Sequence, residues 1–242
     1  MTANHLEAKI GTFYQSNTEK LRLDIGHSLD LIELFALEDL TVRVGGDFFI
    51  LSRLRSAGKM KFPVETSDFY FGLNGSANFR LFEKNFSARL RIAHISSHLV
   101  DGYTNQKNDT TFFLQEPFVY SREFVDLVIA WNYEYFRPYF GATYIFSTIP
   151  KNVNKIVPQI GFDFQVPIYK FVDAVGGYDF KLQGSDTLAN CGMNSIQAGI
   201  LFNISKNIGI SFNYYFYSGY SIHGMFYNQK EHYNGFGMQI NY

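Results

Sequence analysis

Apolar residues at every second position, from one end of the chain to the other, limit this sequence more than any other feature. In Leu21-Arg22-Leu23-Asp24-Ile25-Gly26 they alternate with charged or small residues. Phe69, Phe71, Leu73, Ala77, Phe79 and Leu81 fall on one side, and Asp68, Tyr70, Asn74, Ser76, Asn78 and Arg80 on the other. Successive strand side chains point to opposite faces, so each run describes a strand with one apolar and one polar side. The pattern returns in Ile160/Phe162/Phe164, in Ile196/Ala198/Ile200/Phe202/Ile204 and in Ile208/Ile210/Phe212/Tyr214/Phe216. Helical spacing is not sustained anywhere, although Asp30–Asp39 fits one helical turn. The expected class is all-β.

The period places strands near 6–15, 19–28, 39–52, 67–81, 86–98, 118–132, 138–147, 156–166, 168–183, 194–204, 208–217 and 231–242. Short links at 82–85, 133–137, 166–168 and 205–207 alternate with longer ones at 53–66, 99–117, 147–155, 184–193 and 218–230. The link 29–38 is long for a turn, and 16–18 is short for an outer loop. An even number of about twelve strands with this alternation describes an antiparallel transmembrane β-barrel, short turns to the periplasm and longer loops outside. Residues 1–242 are expected to form that single domain. The strands are also longer than the usual soluble strand of about five or six residues. They suit a tilted bilayer crossing, which needs roughly nine to eleven.

Aromatics make up 18% of the chain. Those near strand ends, such as Tyr14, Phe69, Trp131, Phe146 and Tyr214, suit interfacial girdles. No apolar stretch is long enough for a membrane helix, and Met1-Thr2-Ala3-Asn4-His5 lacks the basic start of a signal peptide. A net charge of −1, from 21 basic and 22 acidic residues, argues against a nucleic-acid partner. A lone cysteine, Cys191, excludes a disulfide framework and a thiolate zinc site. His223 and His232 flank the last loop without further ligands, and no metal is assigned.

Chemistry concentrates in residues 86–98. If Phe86, Ala88, Leu90 and Ile92 face lipid, His94, Ser96 and His98 share that outer face at the strand's extracellular end. A histidine beside a serine hydroxyl is the minimum for an activated nucleophile. Glu123, on the outward face of the next strand, is the candidate to orient it. Ser96 is then nucleophile, His94 base and Glu123 orienting acid. Inward, Arg89, Arg91 and Arg122 with Asp126 are expected to form a lumen charge network. Gly45-Gly46 and Gly176-Gly177 read as relief for strand bending, since no helix follows.

His94-Ile95-Ser96 resembles outer-membrane phospholipase A and the lipid A 3-O-deacylases, serine hydrolases with the nucleophile on the outer wall. Ser97-His98 stands where those families tend to have Asn and Gly. The resemblance implies lipid or lipopolysaccharide acyl esters as substrate. No cofactor is expected, calcium being the one that a hydrolase would admit; Asp101, Asn105, Asn108 and Asp109 lie in the following loop but make no clear calcium cluster, and His98 with Asp101 is a candidate loop site. A wider resemblance, to an uncharacterised family of Gram-negative envelope proteins, covers most of 68–242. It rests on residues 91–101, on Tyr120-Ser121-Arg122-Glu123, on Gln159-Ile160-Gly161-Phe162-Asp163, on Gln197-Ala198-Gly199 and on residues 219–226. It implies an outer-membrane location and supplies no activity. The ending Phe236–Tyr242, aromatic last and apolar at alternate positions, resembles the strand signal that barrel-assembly machinery reads. Three roles follow: a structural or envelope-complex barrel, an outer-leaflet lipid hydrolase, or a narrow channel.

Overall fold

The computed structural model describes residues 1–100, 104–107, 110–113, 116–184, 189–206 and 208–241, with backbone alone in 104–107 and 110–113. The strands are β1 (Ile10–Gln15), β2 (Lys20–Leu37), β3 (Leu40–Arg55), β4 (Val64–Leu81), β5 (Lys84–Leu99), β6 (Thr104–Lys107) and β7 (Thr110–Phe113). They continue with β8 (Tyr120–Asn132), β9 (Phe136–Ile149), β10 (Ile156–Tyr169), β11 (Val172–Gln183), β12 (Cys191–Asn203), β13 (Gly209–Tyr220) and β14 (Lys230–Asn241). Twelve of them close an antiparallel barrel in which each pairs with its chain neighbour, β5 pairs with β8, and β1 meets β14. The remaining two, β6 and β7, form a small hairpin within the loop between β5 and β8. One rim carries tight turns at 38–39, 82–83 and 170–171, and the other carries the longer loops. In barrels of this class the loop rim faces outside.

Alternation sorts the wall. On β5, Arg91, Ala93, Ile95 and Ser97 are buried while Leu90 and Ile92 are about half exposed. Around the circumference, Phe48, Phe71, Leu127, Phe140, Ile160, Phe212 and Phe236 also point outward. The outer surface is thus an apolar band, and the polar side chains turn in.

Four expectations are corrected. Residues 6–9 do not extend β1: residues 1–9 fold into the lumen, where Asn4, His5, Glu7 and Lys9 are buried. Glu7 receives Arg89 Nη1 and Nη2 at 2.7 and 2.6 Å and Arg91 Nη2 at 3.1 Å. Lys9 donates to Gln197 Oε1, and Lys181 donates to Asn4 Oδ1. Charge pairing outweighs the strand period here. Residues 30–39 form no helical turn. Asp30, Glu33 and Ala36 stand opposite Gly45, Arg43 and Thr41, and β-bulges at Leu31 and Leu34 absorb the three-residue spacing. The turn expected at 166–168 falls at Lys170–Phe171, because Pro167 sits at a register shift that tolerates its missing N–H. Finally, Arg122 stands apart from Arg89, Arg91 and Asp126, with no ion pair among the described residues.

The rest of that network holds. Arg91 Nη2 lies 3.3 Å from Asp126 Oδ2, and Thr143 donates to Asp126 Oδ1 at 2.9 Å. At the loop rim, His223 Nδ1 lies 2.6 Å from Asp68 Oδ2, and Gly224 N–H donates to Asp68 Oδ1 at 2.8 Å. Met225 N–H donates to Ser97 Oγ at 3.1 Å. These bonds draw the segment Gly224–Phe226 into the mouth of the barrel, where Met225 and Phe226 are buried.

Candidate functional site on the outer wall

Strand pairing between β5 and β8 sets His94 directly opposite Glu123 and Ser96 opposite Ser121. Pairing between β8 and β9 sets Glu123 opposite Ser147. All five side chains lie on the outward parity, toward the loop rim. His94 Nδ1 is 2.8 Å from Glu123 Oε1, both side chains about 30% exposed. Ser121 Oγ donates to the same Oε1 at 2.5 Å. The Phe71 ring stacks on the imidazole with centroids 5.0 Å apart.

These contacts define the imidazole's chemistry. A carboxylate only accepts, so Nδ1 carries the proton and Nε2 keeps its lone pair as a base. Phe71 on one face and Glu123 at one edge restrict the ring's rotation. Ser96 shares the outer face one strand repeat nearer the rim, and its hydroxyl makes no hydrogen bond to His94 in this structure. Catalytic hydrogen bonds are often long without substrate. His98 follows on the same face, exposed, its ring edge-on to Phe69.

The alternation that selected Glu123 also places Ser121 on its face. The meeting of His94 and Ser121 at one carboxylate oxygen depends on the register of β8 to β5, which sequence spacing does not encode. Asp101 lies outside the described residues, as do Asn108, Asp109 and Tyr242. Among the described residues no group of three His, Cys, Asp or Glu side chains is placed to hold a metal.

Residues 1–9 occupy part of the lumen, with Asn4, His5, Glu7 and Lys9 buried there. In that segment, which does not itself span the wall, burial opposes ionisation of Glu7. Arg89 and Arg91 outweigh it and hold the carboxyl well below the usual carboxylate range. Burial, with Lys181 and Arg22 nearby, holds His5 well below the ordinary histidine value.

A family model described as "Protein of unknown function (DUF1207)" matches residues 49–242. A search of curated proteins gives no match. Among solved structures, outer membrane phospholipase A from Escherichia coli has a TM-score of 0.61 at 12% identity, covering 97% of this chain and 92% of that one. The outer membrane phospholipase of Salmonella typhi, a dimer with bound calcium, has a TM-score of 0.57 at 12% identity, covering 100% and 93%. At such identities the likeness is one of fold: an outer-membrane-type barrel.

Proposed function

Since the chain belongs to the DUF1207 family, whose description assigns no activity, we propose its function from the outer wall: hydrolysis of membrane-lipid acyl esters at the outer leaflet. The observation that carries this reading is the His94–Glu123 pair, 2.8 Å apart on the lipid-facing surface, with Ser96 on the same face. The pair lies on the outward face toward the loop rim, with Phe71 packed on its imidazole, and an ionisable pair on the outer wall of a membrane barrel is by default a candidate for function.

In the proposed reaction Ser96 Oγ attacks the ester carbonyl as its proton passes to His94 Nε2. Glu123 stabilises the imidazolium that forms. Collapse of the tetrahedral intermediate breaks the bond to the alcohol oxygen, which takes the proton from His94. Water, deprotonated by the same nitrogen, then releases the fatty acid and restores Ser96. Backbone amides in a strand ladder are already bonded, and Ser121 gives its one hydroxyl proton to Glu123, so oxyanion stabilisation falls to His98, next to Ser96 on the same face.

The experiment is hydrolysis of phospholipid and lipopolysaccharide acyl esters by the detergent-solubilised protein, with and without calcium, beside Ser96→Ala, His94→Ala and Glu123→Gln. The expected result is turnover that falls roughly 10³-fold or more in the first two variants. Absence of turnover with every ester would leave a structural or envelope-complex barrel as the role. A channel is disfavoured by the side chains and by residues 1–9 that occupy the lumen.

A further inference from the structure

Behind the wall that carries His94 and Glu123, the lumen encloses a cavity of about 40 Å³ near the loop rim. Arg122, Lys181 and His5 line it, with Ser221, Thr143 and Tyr120. Two of these are cations, and none of the described residues lining it is an Asp or Glu. Arg122 Nε and Nη2 are buried with no hydrogen-bond partner among the described residues, as is His5 Nδ1. Lys181 is 4% exposed and, among the described residues, donates to the neutral Asn4 Oδ1 at 2.9 Å.

Among the described residues, the carboxylates nearby are already engaged. Glu7 is held by Arg89 and Arg91, Asp126 by Arg91 and Thr143, and Asp24 by Arg22. Asp68 is bonded to His223, and Asp179 accepts from Tyr139 and Gln159. A buried cation without a counter-charge is strongly unfavourable, and attraction to an anion rises as the surroundings lose water. The volume is roughly three times what one water-sized sphere needs, which suits a halide. A neutral imidazole can also turn an N–H toward an anion.

We propose that this cavity is a binding site for a small monovalent anion of halide size, held by Arg122 and Lys181 with His5 as a third donor. The site is independent of the hydrolase reading, since no residue in it touches the outer face. Its occupant would tie residues 1–9 to β8 and β11 from within and support the loop at 221–229, whose Ser221 and Gly224 form the cavity's roof.

Crystals of the full chain grown in sodium bromide are expected to give an anomalous peak between Arg122 and Lys181. In parallel, urea unfolding of the detergent-solubilised protein is followed in bromide and in gluconate at equal ionic strength. Bromide is expected to raise the midpoint for the native sequence and to lose that advantage in Arg122→Gln. If Arg122→Gln does not fold, Lys181→Met serves in its place, with the same loss expected. Ordered water without an anomalous peak, or an equal bromide advantage in the variant, would overturn the proposal.

Discussion

Replacing Glu7 by Ala tests whether residues 1–9 are held in the lumen by charge. The Glu7 carboxylate accepts two hydrogen bonds from Arg89, at 2.6 and 2.7 Å, and one from Arg91 at 3.1 Å. Removing one partner of a buried ion pair costs about 3–5 kcal/mol, because the other charge stays buried. Arg91 retains Asp126 at 3.3 Å and the Leu6 carbonyl at 3.2 Å, so the low end applies. A loss of about 3 kcal/mol weakens docking of the segment by roughly two decades. The assay is conductance of single barrels in a planar bilayer, since a twelve-stranded wall is wider than the side-chain-filled eight-stranded kind. The variant is expected to show openings on the order of 100 times more often than the native sequence. A carboxyl held low in the folded state stabilises above the unfolded value of about 4.3, and that contribution is lost as pH falls through the folded value. Native conductance should therefore be the same at pH 7 and pH 5 and rise only in stronger acid. Unchanged opening in Glu7→Ala, or openings that already grow between pH 7 and pH 5, would refute the reasoning.

Asp68→Asn keeps at most one of the bonds to His223 and Gly224, and should weaken the anchoring of 221–229 by about 2 kcal/mol. Limited proteolysis of that loop is expected to speed up at least tenfold, and an unchanged rate would count against the anchor. Thr143→Val removes the 2.9 Å hydrogen bond to buried Asp126 and should lower stability to urea by about 1.5–3 kcal/mol. A change within about 0.5 kcal/mol, the scatter of surface substitutions, would show that bond to be dispensable. Gly237→Val lies on the β1–β14 seam, where even a Cβ would run into the Thr12 carbonyl oxygen. The folded, heat-resistant band on a gel is expected to disappear, and a normal band would mean that the seam yields more easily than its packing implies.

The wall was legible because lipid outside and polar groups inside impose one rule on every spanning residue. The alternation at Leu90 and Ile92, or at Leu127, needs no partner to be interpreted. Residues 6–10 show where the rule misleads: Leu6, Ala8 and Ile10 alternate with Glu7 and Lys9 as a strand would. Yet Glu7 finds Arg89 and Arg91, 82 and 84 positions away, and the segment goes where its charges are satisfied. The outer-wall site was half legible. The faces of His94, Ser96 and Glu123 follow from the period, but the alignment of His94 with Glu123 is set across a loop between β5 and β8 that has no fixed length relation to either strand. The isolation of Arg122 was hidden for a similar reason, since its parity matches Asp126 while its height in the lumen does not.

The two bulges in β2 have a consequence for how this chain can tolerate length change. Leu31 and Leu34 are supernumerary: neither has a partner on β3, and each sits beside a neighbour pointing the same way. Deleting either one would leave Asp30, Glu33 and Ala36 facing in and Ile32, Phe35 and Leu37 facing out. Deleting a residue elsewhere in a regular stretch of the wall would transfer everything beyond it to the wrong side. The hairpin therefore carries two spare residues at its tip, so that a change in chain length there need not become an error in which side chains meet lipid.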